Sequence, residues 1–276
     1  MKIRYLGTAA AEGIPALFCH CRVCENARKI KGKEIRSRCQ AVIDDKILID
    51  FGPDTYWHMI KYELDLAAFE LCLITHTHND HLFANDIIMR KGNHALYNKE
   101  IPPLTIYGGQ GVHDVFSPME NGYITKDGRV RFEAAECFKE KTFGNYIITP
   151  LPAVHGTTMP LIYLIEKNDC TILYAHDTDI FDESVWNFLA DKNKKLSFVS
   201  LDCTEGIKHI DYHGHMNFER AAEVKSRMLK EKIADEKTIF TVNHFSHNGL
   251  VTYYEAECKG KEYGFVIAYD GMEINI

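Results

Sequence analysis

Short β-branched runs bounded by turn residues recur along the chain and read as strands: Lys2 to Leu6, Ala41 to Ile43, Lys46 to Ile49, Leu71 to Thr75, Leu104 to Tyr107, Tyr146 to Pro150 and Leu161 to Ile165. Further runs follow at Thr171 to Ala175, Leu196 to Leu201 and Thr238 to Val242. Asp270-Gly271 between Gly264 to Tyr269 and Met272 to Ile276 predicts a closing hairpin. Helical periodicity falls at Tyr56 to Glu63, Asp80 to Lys91, Ile180 to Asp191 and Asn217 to Lys230. In the last of these, Phe218, Ala221, Ala222, Met228 and Leu229 fall near one face and Asn217 is placed as the N-cap. Strands come first and then alternate with helices, which predicts two sheets covered by helices, a four-layer αββα sandwich of the α/β class. No repeat or low-complexity linker interrupts the pattern, so one domain over residues 1–276 is expected, with Ser117 to Asn145 as a charged surface excursion.

Composition narrows the function classes. With 46% apolar and 26% charged residues the chain can bury a sizeable core, and disorder is excluded. Its net charge of −7 opposes general nucleic-acid binding. No run approaches the roughly 18 apolar residues of a membrane helix, and the opening MKIRYLGTAA lacks the apolar stretch of a secretory signal. A cytoplasmic protein with a small-molecule substrate and no membrane partner is the expectation.

The chemistry concentrates in Leu71-Cys-Leu-Ile-Thr-His-Thr-His-Asn-Asp-His81, an apolar strand that ends in His76, His78, Asp80 and His81. Residues two apart on a strand share a side, so His76 and His78 can grip one ion together. A helix beginning at Asp80 would turn its carboxylate and His81 toward a second position. Imidazole and carboxylate donors suit zinc and similar ions. His155, Asp177 and His244 also follow strands, where an α/β protein gathers its site, and Asp179 and His176 compete with Asp177.

Cys19, Cys21 and Cys24 form C-x-C-x-x-C, too tight for a secreted disulfide framework and suited to a tetrahedral structural zinc that needs a fourth ligand. His247, three residues after His244, is the preferred fourth ligand, with His20 and Cys39 as competitors.

On these motifs the sequence resembles the metallo-β-lactamase superfamily. The resemblance implies that His76, His78 and His155 hold one metal, that Asp80, His81 and His244 hold a second, and that Asp177 bridges them. It matches Asp50, in Ile47-Leu-Ile-Asp-Phe-Gly, to an acid that supports the ligand loop from behind. Within the superfamily, the cysteine cluster and His244-Phe-Ser-His247 resemble phosphodiesterases of the carbon-phosphorus lyase pathway, which open ribosyl cyclic phosphates; Ala9 departs from a glycine often found there. By the same resemblance His215 donates a proton to the leaving alkoxide, with His213 as the alternative.

The function this implies is hydrolysis of a small or cyclic phosphodiester by a hydroxide shared between two divalent ions, zinc or manganese. Asp80 and His215 are the residues expected to carry catalysis. A tRNA 3′-processing-like endonuclease, a thioester or lactone hydrolase and a non-catalytic metal-binding accessory protein are the competing readings, and a homodimer is the default assembly.

Overall fold

The structure, a computed structural model, describes all residues except 98, 99, 118–121 and 210. Among the described residues two seven-stranded sheets stack face to face. The first contains β1 (Lys2–Gly7), β2 (Gln40–Ile43), β3 (Ile47–Ile49), β4 (Leu71–Ile74), β5 (Leu104–Gly108), β6 (Val130–Ala134) and β14 (Glu273–Asn275), in the order β14-β1-β2-β3-β4-β5-β6. The second contains β7 (Lys141–Phe143), β8 (Tyr146–Pro152), β9 (Leu161–Lys167), β10 (Cys170–Ala175), β11 (Phe198–Asp202), β12 (Ile239–Asn243) and β13 (Val266–Ile267), in the order β13-β12-β11-β10-β9-β8-β7.

Three apolar layers hold this αββα sandwich together. Ile43, Ile49 and Leu73 of the first sheet meet Ile148, Ile165, Tyr174 and Phe198 of the second in the central layer. The outer face of the second sheet is covered by α5 (Glu183–Asp191), α6 (Phe218–Lys230) and α7 (Tyr253–Tyr263), which contribute Trp186, Val224 and Ala256. Over the first sheet lie α3 (Ala84–Ile87) and α4 (Gln110–Phe116), contributing Ile87, Val112 and Phe116. Because both faces of β4 are covered, its sequence LCLI is apolar without alternation. Two tyrosines join the sheets by hydroxyl bonds: Tyr5 reaches Ser200 (2.6 Å) and Thr241 (2.8 Å), and Tyr163 donates to the carbonyl of Ile74 (2.7 Å).

Several local expectations change. The helix expected from Asp80 to Lys91 is a turn through Leu82, then α3 and a 3-10 turn over Ile88–Arg90. The amide of Phe51 bonds to the carbonyl of His81 (2.8 Å) and the amide of Phe83 to the carbonyl of Phe51 (2.7 Å), so the chain beside the motif is held against the segment after β3 and cannot coil. The closing hairpin does not form. β13 pairs in parallel with β12 in the second sheet while β14 pairs antiparallel with β1 in the first, and Asp270-Gly271 carries the chain between the sheets. The half-buried Asp270 carboxylate pins this crossover by accepting hydrogen bonds from the Ser37 amide (2.7 Å), the Ser37 hydroxyl (2.6 Å) and the Thr8 hydroxyl (2.7 Å). The stretch expected as a surface excursion instead supplies β6 and β7, the edge strands of the two sheets, and buries Ile124 and Val130; its residues 118–121 lie outside the described residues. Three helices are not among those expected from the sequence: α1 (Arg22–Ile30), α4 and α7, the last opened by a capping box of Thr252 and Glu255.

Candidate metal centre

The C-terminal ends of β3, β4, β8, β10, β11 and β12 meet along one edge of the sandwich, where they deliver Asp50, His76, His155, Asp177, Asp202 and His244. Donor atoms of His76, His78 and His155 lie within 4.8 Å of one another, as do those of Asp80, His81 and His244, and those of His76, His81 and Asp177. His78 Nδ1 stands 2.9 Å from His76 Nε2 and 3.2 Å from His155 Nε2. In the second group, His81 Nε2 lies 3.0 Å from Asp80 Oδ2 and 3.3 Å from His244 Nε2.

Asp177 sits between the groups. Its Oδ2 is 2.9 Å from both His81 Nε2 and His244 Nε2, and its Oδ1 is 3.7 Å from His155 Nε2. Yet Oδ2 is buried without a hydrogen bond among the described residues. A buried carboxylate oxygen facing imidazole nitrogens without a shared proton is the arrangement a cation completes.

Hydrogen bonds from behind set the ring orientations. The Thr75 hydroxyl donates to Asp50, so it accepts from His76 Nδ1 (3.0 Å). Asp50 Oδ2 accepts from His81 Nδ1 (2.8 Å), and the Gly214 carbonyl accepts from His155 Nδ1 (3.0 Å). The Thr204 hydroxyl donates to Asp202 and accepts from His244 Nδ1 (2.8 Å). Four rings are thereby fixed with Nε2 toward the centre, the usual way a protein orients metal-binding imidazoles. Asp50, Asp177 and His244 all adopt left-handed backbone conformations, at φ 66°, 50° and 63°. Such conformations cost about 1–2 kcal/mol each for non-glycine residues, and the bonds of the Asp50 carboxylate to the Thr75 amide (2.8 Å) and of the Asp177 amide to Asp202 (3.0 Å) offset part of it. Burial opposes charge on the His81 ring, but Asp177, Asp80 and Asp50 outweigh it and hold its pKa above the usual imidazole range. A site with this many buried carboxylates calls for positive charge.

Asp202, fully buried at the end of β11, is a functional residue that the sequence motifs do not single out. It accepts hydrogen bonds from the amides of Asp177 (3.0 Å), Thr204 (2.9 Å) and Met216 (2.9 Å), from the Thr204 hydroxyl (3.0 Å) and from His215 Nδ1 (3.2 Å). Its sequence signal is the same as that of Asp177 and His244, a polar residue closing a strand, here Phe198-Val-Ser-Leu-Asp202, with no second ligand type beside it. Burial pulls the His215 pKa down, but the Asp202 carboxylate and its hydrogen bond, helped by Asp177 and Glu205, push it up to about 9.

The competing residues lie elsewhere. Asp179 bonds His213 Nδ1 (2.6 Å) and Arg220 (2.8 Å), while His176 bonds the Ser200 hydroxyl (2.7 Å) in the core. At the N-terminal loop, Cys19, Cys21, Cys24 and His247 bring their donor atoms within 4.8 Å of one another. His247 Nδ1 is 3.4 Å from the Cys19 sulfur and 3.5 Å from that of Cys21, and the Ala16 amide donates to Cys24 (3.3 Å). His20 is exposed beside Glu25, and Cys39 is buried against Tyr174 (3.4 Å), so neither joins the cluster.

Known proteins place this architecture. A curated relative from Porphyromonas gingivalis (strain ATCC BAA-308 / W83), named octanoyltransferase, is 25% identical over 231 residues. The match covers 81% of this chain but 43% of the relative, so the chain spans less than half of that protein's length. The solved structure of zinc-bound PqqB from Methylobacterium extorquens superposes with a TM-score of 0.76 at 15% identity over 100% of both chains. A diphosphatase from the PhnP family superposes at 0.71 with 18% identity, over 100% of this chain and 97% of its own. At these identities the two structures establish the likeness of fold. Residues 45–234, more than half of the chain, match the family described as the beta-lactamase superfamily domain, and the chain, with its metallo-β-lactamase fold, belongs to that superfamily.

Proposed function

We propose that the chain is a dinuclear metal-dependent phosphodiesterase that cleaves one ester bond of a small or cyclic phosphodiester. The donors fit two divalent ions, one on His76, His78 and His155 and one on Asp80, His81 and His244, with the Asp177 carboxylate between them. When bound, such a pair supplies a nucleophilic water at neutral pH and screens charge on the phosphoryl oxygens. Cys19, Cys21, Cys24 and His247 would hold a structural zinc that ties the N-terminal loop to the segment after His244.

The observation that carries the reading is His215. Its Nδ1 is fixed to buried Asp202, its ring lies 4.9 Å from that of His155, and its Nε2 makes no hydrogen bond among the described residues. An imidazole so placed can give its Nε2 proton to a departing alkoxide. Hydrolysis of a thioester has little need of that proton, because a thiolate leaves unaided. Support for that second reading comes from the relative named octanoyltransferase.

The test compares an alkyl cyclic phosphodiester with bis-p-nitrophenyl phosphate, using metal-supplemented wild type, His215→Ala and Asp80→Ala. Asp80→Ala is expected to abolish both activities. His215→Ala should lower kcat about 100-fold or more on the alkyl diester and far less on the p-nitrophenyl diester, whose phenolate departs without a proton. Equal effects of His215→Ala on both substrates would remove the proton-donor role, and turnover of neither diester would remove the phosphodiesterase.

A further inference from the structure

The loop from Asp211 to Asn217 is held to an unusual degree for a surface segment. Three of its side chains are each tethered to a different buried carboxylate: Tyr212 to Glu205, His213 to Asp179 and His215 to Asp202. Arg220 of α6 fastens the backbone as well, donating from Nη1 to the Tyr212 carbonyl (2.9 Å) and to Asp179 (2.8 Å). At the loop's end the Met216 amide bonds Asp202 (2.9 Å), and its carbonyl accepts from the amide of Glu205 (3.1 Å).

Tyr212 is the aromatic member of this loop. Its ring centroid lies 6.5 Å from that of His215, nearly perpendicular at 87°, and the residue is 45% exposed. A tyrosine that only covered the surface would leave its hydroxyl in water. Here the hydroxyl donates to Glu205, whose side chain is 9% exposed, so the polar end is turned inward and the ring cannot swing away. What solvent meets beside the proton donor is therefore an aromatic ring held in one orientation. Fixing the ring beforehand lowers the entropy cost of using it as a stacking surface.

We infer that Tyr212 is a specificity-determining residue that receives a planar ring carried by the leaving alcohol, so that the substrates of this site are phosphodiesters of nucleoside-like alcohols. The inference rests on the phosphodiesterase reading and on His215 marking the leaving-group side. Glu205 and Arg220 act through Tyr212 as positioning residues. Stacking of a base on one aromatic side chain corresponds to about tenfold or more in affinity.

The test measures kcat/KM for a purine nucleoside cyclic phosphate and for the same cyclic phosphate of methyl riboside, which lacks the base. The wild type should prefer the base-bearing diester by about tenfold, mostly through KM. Tyr212→Ala should bring the ratio near one, whereas Tyr212→Phe, which keeps the ring and loses its tether, should retain part of the preference. A ratio near one in the wild type, or a ratio that Tyr212→Ala leaves unchanged, overturns the assignment. Calorimetric binding of the nucleoside monophosphate and of methyl riboside phosphate to the metal-supplemented chain separates the two claims. If neither diester is cleaved but the base-bearing monophosphate binds about tenfold tighter and Tyr212→Ala erases the difference, the subsite stands and the phosphodiesterase reading falls. Equal binding of the two monophosphates overturns the subsite.

Discussion

At the scale of single residues, the site depends on polar side chains that never face the centre. The Asp50 and Asp202 carboxylates each accept several hydrogen bonds, the Thr75 and Thr204 hydroxyls each donate to one of them and accept from a histidine, and through Asp50, Thr75 and Thr204 the Nε2 atoms of His81, His76 and His244 converge, with His155 turned by the Gly214 carbonyl. A further buried residue sits behind this layer. His58 of α2 (Thr55–Lys61) bonds Gln40 Oε1 through Nδ1 (2.6 Å) and the Ser37 hydroxyl through Nε2 (2.8 Å), and Gln40 in turn donates to the Asp50 carbonyl (2.9 Å). Burial pushes the His58 pKa down to about 4, against a smaller upward pull from Asp54. The unfolded chain takes up this proton near pH 6.5 and the folded chain does so only near pH 4, so stability falls as the pH drops through that window and levels off below it. The full difference is about 3 kcal/mol. Urea unfolding between pH 7 and 4 should show the wild type losing more stability than His58→Gln by roughly that amount; parallel curves for the two proteins would contradict it.

At the scale of elements, the ligand loops are shaped by close backbone contacts. Gly52 follows the Asp50 loop, and a Cβ there would stand 2.0 Å from the Asp80 carbonyl oxygen, too close for any side chain. Gly52→Ala should therefore push the Asp80–His81 turn outward and lower the metal bound per chain, with secondary structure retained by circular dichroism. Unchanged metal content in that variant would show that the contact relaxes elsewhere. The same contacts explain what the sequence leaves illegible. The ligand types and their strand-end positions are visible because apolar runs stop at them. The backbone path from His78 to Phe83 is not, because it is set by bonds to Phe51, thirty residues away. α6 is readable from its apolar face and its Asn217 cap, which accepts from the Arg220 amide (2.9 Å). α1 is hidden by the cysteines that open it, and α7 carries a Thr252-Tyr-Tyr-Glu255 capping box that marks its start.

At the scale of the molecule, the site belongs to neither sheet alone. His76, His78, Asp80 and His81 come from the end of β4 in the first sheet, while His155, Asp177 and His244 follow β8, β10 and β12 in the second. The layered architecture is legible from the succession of strands and helices. The exchange at the C-terminus is not, since Asp270-Gly271 reads as a hairpin until the carboxylate is seen bonded to Ser37 and Thr8. Tyr5 and Tyr163 bridge the central layer and fix the sheets against each other, so the two halves of the donor set keep their spacing. Among the described residues no helix is long and apolar enough to cross a membrane. The phosphodiesterase proposed for this shared edge works with bound divalent ions. Its most direct test is turnover of a cyclic phosphodiester beside an octanoyl thioester, by the zinc- or manganese-loaded chain and by the chain after chelation. Diester hydrolysis that chelation abolishes and readdition of metal restores is the expected result; thioester turnover by a loaded chain that leaves the diester untouched would overturn the phosphodiesterase assignment.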